Sequence, residues 1–171
     1  GVVFSRFLET DINTGIYIIE PEILNQIPPE ENYDFGKDLF PSLMQSSTTL
    51  WGYNASGYWR DVGNPESYRE VYEDLFSNKV TLTKKGEAIS HPDGTLYCEE
   101  TQTLDPTVEI IGEVLLGKNV SIGKNVKLKN SVIGDNTVIE EDSKISNSVI
   151  WHDVNIGKNN IYDGCVICNN N

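Results

Sequence analysis

Three tetrapeptides recur at a constant spacing near the end of this sequence: Asn130-Ser131-Val132-Ile133, Asn147-Ser148-Val149-Ile150 and Gly164-Cys165-Val166-Ile167. The apolar residues that open the short segments between Leu116 and Ile167 follow intervals of six, six and five positions, three times over. They are Leu116, Ile122, Leu128, Ile133, Ile139, Ile145, Ile150, Ile156, Tyr162 and Ile167. The intervals add up to a 17-residue period, the same as the spacing of the tetrapeptides. One apolar residue per segment at a fixed period is typical of a solenoid.

The six-residue segments share a further feature, an Asn or Asp at the fourth position. These residues are Asn119, Asn125, Asn136, Asp142, Asp153 and Asn159. Asn and Asp tolerate the left-handed backbone region that a sharp corner between short strands requires. We therefore predict coils of three strands and three corners, with Leu116, Ile133, Ile150 and Ile167 stacked in the interior. An amphipathic helix does not fit, since the spacing does not follow 3.6 residues. The pattern resembles that of hexapeptide-repeat proteins, and the resemblance implies a left-handed parallel β-helix.

Composition limits the classes of partner. The chain of 171 residues has a net charge of −13 and a pI near 4.4, which argues against a nucleic-acid partner, since that requires a basic face. No apolar run approaches the length of a membrane span, about 18 residues, so we expect no membrane contact. Three cysteines, an odd and small number, favour a reducing, cytoplasmic setting. Because the first residue is Gly rather than Met, we expect the chain to begin inside a longer protein or after a cleaved tag.

The part before the solenoid has mixed character. β-branched or aromatic runs predict short strands at 16–19, 50–55 and 58–63. Asp34 is a predicted N-cap for a helix over 35–40, and Asn64-Pro65 a predicted start for a longer helix. The longer helix has an apolar stripe for burial: Tyr68, Val71, Tyr72, Leu75 and Phe76. We divide the chain into a first domain over 1–76, an irregular connector over 77–107 and the solenoid over 108–171.

Three motifs in the first domain carry a resemblance to a known family. They are Asn13-Thr14-Gly15-Ile16-Tyr17, the block Tyr-Asp-Phe-Gly-Lys-Asp-Leu-Phe-Pro at 33–41, and Gly57-Tyr58-Trp59-Arg60-Asp61-Val62-Gly63. In this order, before a helix and a hexapeptide solenoid, they resemble the C-terminal half of a nucleoside-diphosphate-sugar pyrophosphorylase, most closely the bacterial mannose-1-phosphate guanylyltransferases. The resemblance implies an α/β partial nucleotidyltransferase domain followed by the left-handed β-helix. It also implies an enzyme that makes an NDP-sugar, GDP-mannose or similar, from a sugar 1-phosphate and a nucleoside triphosphate.

Three features of the family pattern are absent from this sequence. The Gly-rich phosphate loop of the type Gly-x-Gly-Thr-Arg and the first metal-binding Asp are not in the sequence. Phe7-Leu8-Glu9 matches a family strand and its Glu, but the Lys-Pro that should follow is missing. Either the loop after Glu9 was lost, or the sequence joins two segments across a gap. Alternatively, Gly1 to Ser5 matches the family segment that follows this loop, with 6–9 inserted. We therefore expect this chain alone to be inactive and the full-length parent to be the enzyme.

The resemblance also assigns site residues. Asp61 matches the family's second metal-binding Asp, so it is the predicted catalytic residue and metal ligand. The resemblance implies Mg²⁺ as the cofactor of the full-length parent. Asn13, Thr14 and Gly15 match positions that bind the sugar and its phosphate, although a turn at the start of a strand explains the same residues. Glu9 matches a residue that accepts hydrogen bonds from sugar hydroxyls, although a solvated acid at the end of a strand explains the same residue. Trp59 is predicted to pack on the sugar, although a core aromatic is the commoner outcome.

The solenoid admits other functions. Hexapeptide acyltransferases use a His as general base, and His152 lies at a corner, but without the long loop such enzymes insert. Cys165 and Cys168 form a CxxC, yet Cys165 has the repeat position of Ser131 and Ser148, and a second pair that would complete a metal site is absent. A non-catalytic assembly or regulatory module is a further alternative. We expect homo-oligomers through the β-helix, and the open coil at Ile167 to be covered by further chain or by a partner.

Overall fold

The computed structural model describes residues 12–46, 48–84, 86–100 and 103–169. The chain divides into two compact units, Gly1–Trp59 and Arg60–Asn171. The domain boundaries predicted at residues 76 and 107 stay predictions. Within the described ranges, each helix is too short or too polar to cross a membrane.

The first unit contains short helices. Helix α1 spans Pro21–Leu24, and a π-helical turn over Phe35–Leu39 leads directly into α2, Phe40–Gln45. The predicted N-cap at Asp34 is confirmed, because its carboxylate accepts a hydrogen bond from the Lys37 backbone N–H at 2.8 Å. The Asp38 carboxylate accepts one in return from the Asp34 N–H at 2.9 Å. The buried side chains of this helical segment are Leu39 and Leu43.

The predicted strands at 16–19, 50–55 and 58–63 are wrong, because none of these segments forms a strand in the structure. β-branched and aromatic residues give a segment strand propensity, but a strand also requires a neighbour to complete its hydrogen bonds. The described residues supply no such neighbour, and Ile16 and Ile18 are 78% and 104% exposed.

The described part of the second unit consists of eleven strands together with helix α3, Pro65–Phe76. The strands are β1 Glu87–His91, β2 Asp93–Cys98, β3 Glu109–Leu116, β4 Ser121–Ile122, β5 Lys127–Ile133, β6 Val138–Ile139, β7 Lys144–Ser146, β8 Val149–Ile150, β9 Asn155–Ile156, β10 Ile161–Asp163 and β11 Val166–Ile167. From β2 onward the strands pair in parallel with their neighbours in the next coil. The predicted parallel solenoid is confirmed.

The predicted interior stack is confirmed residue by residue. Leu116 pairs with Ile133, Ile133 with Ile150, and Ile150 with Ile167, each one coil further along the chain. Two further columns, on the other faces, complete the triangle. They are Ile122–Ile139–Ile156 and Leu128–Ile145–Tyr162. The stack is most buried at its start: Leu116 and Ile133 are 3% and 1% exposed, whereas Ile167 is only partly buried.

The corners adopt the predicted left-handed backbone. All six predicted Asn and Asp residues have φ between 53° and 62°. A third corner column, which the fourth-position rule did not include, comprises Asn130, Asn147 and Gly164 at φ of 44°, 50° and 65°. Side chains connect one coil to the next: Asn119 donates to Asn136 at 3.1 Å, and Asn136 donates to Asp153 at 3.0 Å. Asn130, Asn147 and Gly164 are also the first residues of the recurring tetrapeptides, so each tetrapeptide begins at a corner.

The predicted irregular connector over 77–107 is wrong in part. Strands β1 and β2 form an antiparallel hairpin, and β2 then pairs in parallel with β3, which places Cys98 beside Leu116. Parallel pairing with a solenoid strand therefore already begins in β2, before Val108. The offset between β2 and β3 is one position longer than the period of the later coils, and a bulge between Ile111 and Val114 shifts the register. For that reason the 17-residue period does not reveal this coil.

Helix α3 lies on an outward-facing apolar column of the solenoid. The column alternates with the interior stack and comprises Leu115, Val132, Val149 and Val166. Val149 faces outward but is only 3% exposed, because α3 packs against this face of the solenoid, near β5 and β11. Tyr68 of α3 meets Trp151 edge-to-face at 6.1 Å between ring centroids. The predicted apolar stripe of this helix is partly buried: Leu75 is buried, and the other four residues are half-buried.

Candidate functional site

The Asn13-Thr14-Gly15 motif forms a tight turn on the surface of the first unit. The Asn13 side-chain carbonyl accepts a hydrogen bond from the Gly15 N–H at 2.9 Å, which closes an Asx turn. Gly15 has φ of +73°, a conformation that glycine adopts without strain. All three residues are exposed, and a Cβ built at Gly15 would meet nothing within 4 Å. Both interpretations of the motif, a turn and an accessible ligand-binding loop, agree with this geometry.

Tyr17 joins two of the family motifs. Its hydroxyl donates to the Asn13 side-chain carbonyl at 3.1 Å. Its ring packs edge-on against Phe35 and Phe40, at 5.7 and 4.9 Å between centroids. The turn is therefore attached to the helical block at 33–41.

Two of the other predicted site residues, Trp59 and Asp61, are exposed. Trp59, the last residue of the first unit, is 43% exposed, so it is not a core aromatic in this structure. Asp61, in the second unit, is exposed. Glu9 lies outside the described residues, so its predicted contact with sugar hydroxyls stays a prediction, as do the roles of the other site residues.

Arg60, beside Asp61 in sequence, has a side chain fixed to helix α3. Its Nε and Nη2 donate to Oδ2 of Asp74 at 3.0 and 2.6 Å, and Nη1 bonds Glu70. Asp74 is 3% exposed, and its other carboxylate oxygen accepts a hydrogen bond from Lys79 at 2.8 Å. The sequence motifs did not reveal this group, although Asp74 could have been noticed as an acid beside the apolar stripe of α3.

The start of α3 lies just beyond Asp61. Asn64 accepts a hydrogen bond from the Ser67 N–H at 2.8 Å, and the Ser67 hydroxyl lies 3.3 Å from the Asn64 N–H. This reciprocal capping box, followed by Pro65 at the first turn, confirms the predicted helix start.

Asp61 could hold a magnesium ion only together with ligands from a substrate and water, because the described part of the chain supplies no cluster of metal ligands around it. The described residues contain no cluster of three or more His, Cys, Asp or Glu that could hold a metal by themselves. Mg²⁺ is commonly held by one or two carboxylates together with substrate phosphates, and retains water ligands. Asp61 offers one such exposed carboxylate.

Cys165 and His152 of the solenoid each take part in local polar contacts. Cys165 repeats the bonding of Ser148: its N–H donates to the Ser148 hydroxyl at 3.0 Å and its Sγ lies 3.4 Å from the Asp163 carbonyl. Both cysteines of the CxxC are free thiols. His152 lies on the surface, with Nδ1 2.7 Å from an Asp153 carboxylate oxygen. That contact lowers the pKa of Asp153 below its ordinary value, with help from the Asn136 hydrogen bond.

Two family models match this chain, one in each half. Residues 6–78 match the nucleotidyl transferase model, and residues 93–171 match the model of the EIF2B subunit epsilon LbH domain. Asn13, Thr14, Gly15, Trp59 and Asp61 all lie in the first match. The second confirms the left-handed β-helix.

Curated relatives point to one group of enzymes. A UTP–glucose-1-phosphate uridylyltransferase of Synechocystis is 32% identical over 142 residues, which cover 73% of this chain and 37% of the relative. This chain is a homologue of the sugar-1-phosphate nucleotidyltransferases. A glucose-1-phosphate adenylyltransferase of Acetivibrio thermocellus is 27% identical over 90% of this chain and 36% of its own length. A mannose-1-phosphate guanylyltransferase of Mycobacterium tuberculosis is 28% identical over 71% of this chain and 33% of its own length. This chain thus spans about a third of the length of these curated relatives.

Proposed function

We propose that this chain is the sugar-phosphate-binding and β-helix part of a sugar-1-phosphate nucleotidyltransferase. The observation that supports this most strongly is the match of residues 6–78, which contain the exposed turn at 13–15 and the exposed Asp61, to the nucleotidyl transferase model. The hexapeptide solenoid that follows matches a second model, so both parts that the motifs imply are present in the implied order.

The reaction we propose is an in-line displacement at phosphorus. A phosphate oxygen of the sugar 1-phosphate attacks the α-phosphorus of the nucleoside triphosphate. The bond to the β-phosphate oxygen breaks, pyrophosphate leaves and the NDP-sugar remains. Such transfers depend mainly on positioning and charge neutralisation, for which an enzyme uses divalent cations and oriented donors.

The residues of this chain have separate tasks in that scheme. The turn at Asn13 to Gly15 offers backbone and amide groups to the sugar and its phosphate. Trp59 offers an exposed ring face against which a sugar can pack. Asp61 would supply a carboxylate ligand to a Mg²⁺ ion, which would offset the negative charge of the gathered phosphates. Glu9 would accept hydrogen bonds from sugar hydroxyls.

The choice of sugar and base is a finer proposal. We favour a GDP-mannose-like product because the motifs at 13–17 and 57–63 resemble the guanylyltransferases. The three named relatives are a uridylyltransferase, an adenylyltransferase and a guanylyltransferase. Nucleotidyl transfer is therefore common to them, and the nucleotide base is not. We further propose a cytoplasmic protein that assembles into homo-oligomers through the β-helix.

A substrate screen tests the proposal. The 171-residue chain, and the longer enzyme of which we propose it is part, are each incubated with a sugar 1-phosphate, Mg²⁺ and GTP, UTP, ATP or dTTP. We expect pyrophosphate release by the longer enzyme with at least one pair, and none by the 171-residue chain. Failure of the longer enzyme with every nucleotide, using glucose and mannose 1-phosphates, would contradict the proposal. Acetyl-coenzyme A binding in calorimetry would instead support an acyltransferase.

A further inference from the structure

We propose that Arg60 and Asp74 are positioning residues for Asp61: together they fix the segment that contains Asp61 to helix α3. The inference rests on the proposed function, because it takes Asp61 as the carboxylate that shares the metal. The contacts between Arg60 and Asp74 that attach this segment lie within the second unit and do not depend on the proposed function.

The first attachment point is the guanidinium of Arg60. Two of its nitrogens donate to one oxygen of Asp74, and the third bonds Glu70, one turn earlier on α3. A planar guanidinium with three engaged nitrogens has little rotational freedom. Because consecutive Cα atoms are about 3.8 Å apart, fixing Arg60 restricts the position of Asp61 directly.

Asp74 is a firm point of attachment. Its side chain is 4% exposed, and Lys79 donates to its second oxygen at 2.8 Å. Two cations and two carboxylates thus form one group, Arg60 and Lys79 with Glu70 and Asp74. A buried carboxylate whose charge is compensated in this way holds its partners strongly, since separation would leave it buried and uncompensated.

The second attachment point follows Asp61 closely. Asn64 caps α3 through the reciprocal bonds with Ser67, so the segment returns to the same helix. Only Asp61, Val62 and Gly63 lie between the two points, and they span at most about 10 Å. Asp61 is held at both ends while its own carboxylate stays exposed.

The helix that holds this short segment is itself supported by the solenoid. The face of α3 that contains Tyr68 packs against the outward-facing apolar column of the solenoid, and the Tyr68 ring contacts Trp151. The neighbouring pair Arg69–Glu73 is an i, i+4 contact on α3 that involves neither Arg60 nor Asp74. It supplies a matched control.

The test compares Arg60→Met, Arg60→Lys and Asp74→Asn with the control Arg69→Met in the active nucleotidyltransferase. We expect kcat/KM to fall by about tenfold to a hundredfold in Arg60→Met and Asp74→Asn, the scale of a misplacement near 1 Å. The Mg²⁺ concentration for half-maximal rate should rise in both. Arg60→Lys, which keeps the charge, should recover part of the loss, and Arg69→Met should stay within about twofold of the wild type. Rates are measured well below each variant's Tm.

A second readout needs no catalysis. In the 171-residue chain, the NMR backbone order parameters of residues 61–63 should fall in Arg60→Met and stay unchanged in Arg69→Met. Wild-type order parameters and wild-type Mg²⁺ dependence in Arg60→Met would overturn the positioning role. Asp61→Asn is assayed beside these variants: full activity in it would overturn the metal-ligand role in the proposed function, while the order parameters would still decide whether Arg60 holds the segment.

Discussion

Arg60 and Asp74 are well separated in sequence, yet two guanidinium nitrogens of Arg60 lie 3.0 and 2.6 Å from one Asp74 oxygen. This contact fastens the start of the second unit to helix α3. It places a nearly buried carboxylate beside the apolar stripe of that helix, with the cations Arg60 and Lys79 on its two oxygens.

Asp74→Ala should destabilise the second unit by about 2–3 kcal/mol, less than a fully buried pair because Arg60 and Lys79 keep partial contact with water. The control Glu73→Ala removes the exposed pair with Arg69 and should cost about 0.5 kcal/mol or less. Urea unfolding of the 171-residue chain measures both. Equal costs for the two variants would show that the Asp74 group adds no particular stability.

The interior stack gives a second prediction. Ile133 is 1% exposed and stacked between Leu116 and Ile150, so Ile133→Ala should cost about 3 kcal/mol through lost burial and a cavity. Ile161 is 71% exposed and serves as the control, so Ile161→Ala should cost only about 0.5 kcal/mol. The measurement is again the free energy of unfolding in urea. A cost at Ile133 as small as that at Ile161 would contradict the stacked core.

The corners give a third. Asn136 has φ of +56°, and its side chain bonds Asn119 and Asp153 in the neighbouring coils. Asn136→Ala and Asn136→Gly both remove those hydrogen bonds, so the difference between them isolates the backbone. We expect the Gly variant to be more stable by about 1 kcal/mol, because glycine adopts this φ without a Cβ penalty. An Ala variant as stable as the Gly variant would contradict a left-handed corner.

Acid should weaken one contact of the solenoid. The His152 and Asn136 hydrogen bonds hold the pKa of Asp153 below its ordinary value of 3.8. A carboxyl with a lowered folded-state pKa contributes stability that is present above its unfolded pKa and is lost as pH falls through the folded value. The stability gap between the wild type and Asp153→Asn should therefore be open at pH 6 and close below about pH 3.8. His152→Ala should narrow that gap at pH 6, and a gap that persists in acid would refute the explanation.

The sequence predicted the solenoid in detail because its signals are local and periodic. The intervals of six, six and five positions identify which residues stack, and the Asn and Asp positions identify the corners. The hairpin of β1 and β2 was missed because its coil is one position longer than the others. The bulge between Ile111 and Val114, where the register shifts, hides the period from a reader of the sequence.

The candidate site was less accessible to sequence reasoning. Motif resemblance predicted Asp61, Trp59 and the turn at 13–15 as site residues, because local motifs can be read directly from the sequence. Contacts between distant side chains leave no such pattern: Arg60 and Asp74 are ordinary charged residues in sequence, and only folding brings them together. The predicted strands failed for a related reason, since strand propensity at Ile16 and Ile18 does not supply a partner strand.

The metal role of Asp61 is open to the most direct test. Asp61→Asn is compared in the active nucleotidyltransferase with Asp93→Asn, an exposed aspartate of strand β2. Pyrophosphate release is measured over a range of Mg²⁺ concentrations. We predict that kcat falls by about a hundredfold or more in Asp61→Asn, as expected for loss of a metal ligand, and stays near the wild-type value in Asp93→Asn. Wild-type turnover and Mg²⁺ dependence in Asp61→Asn would contradict the account.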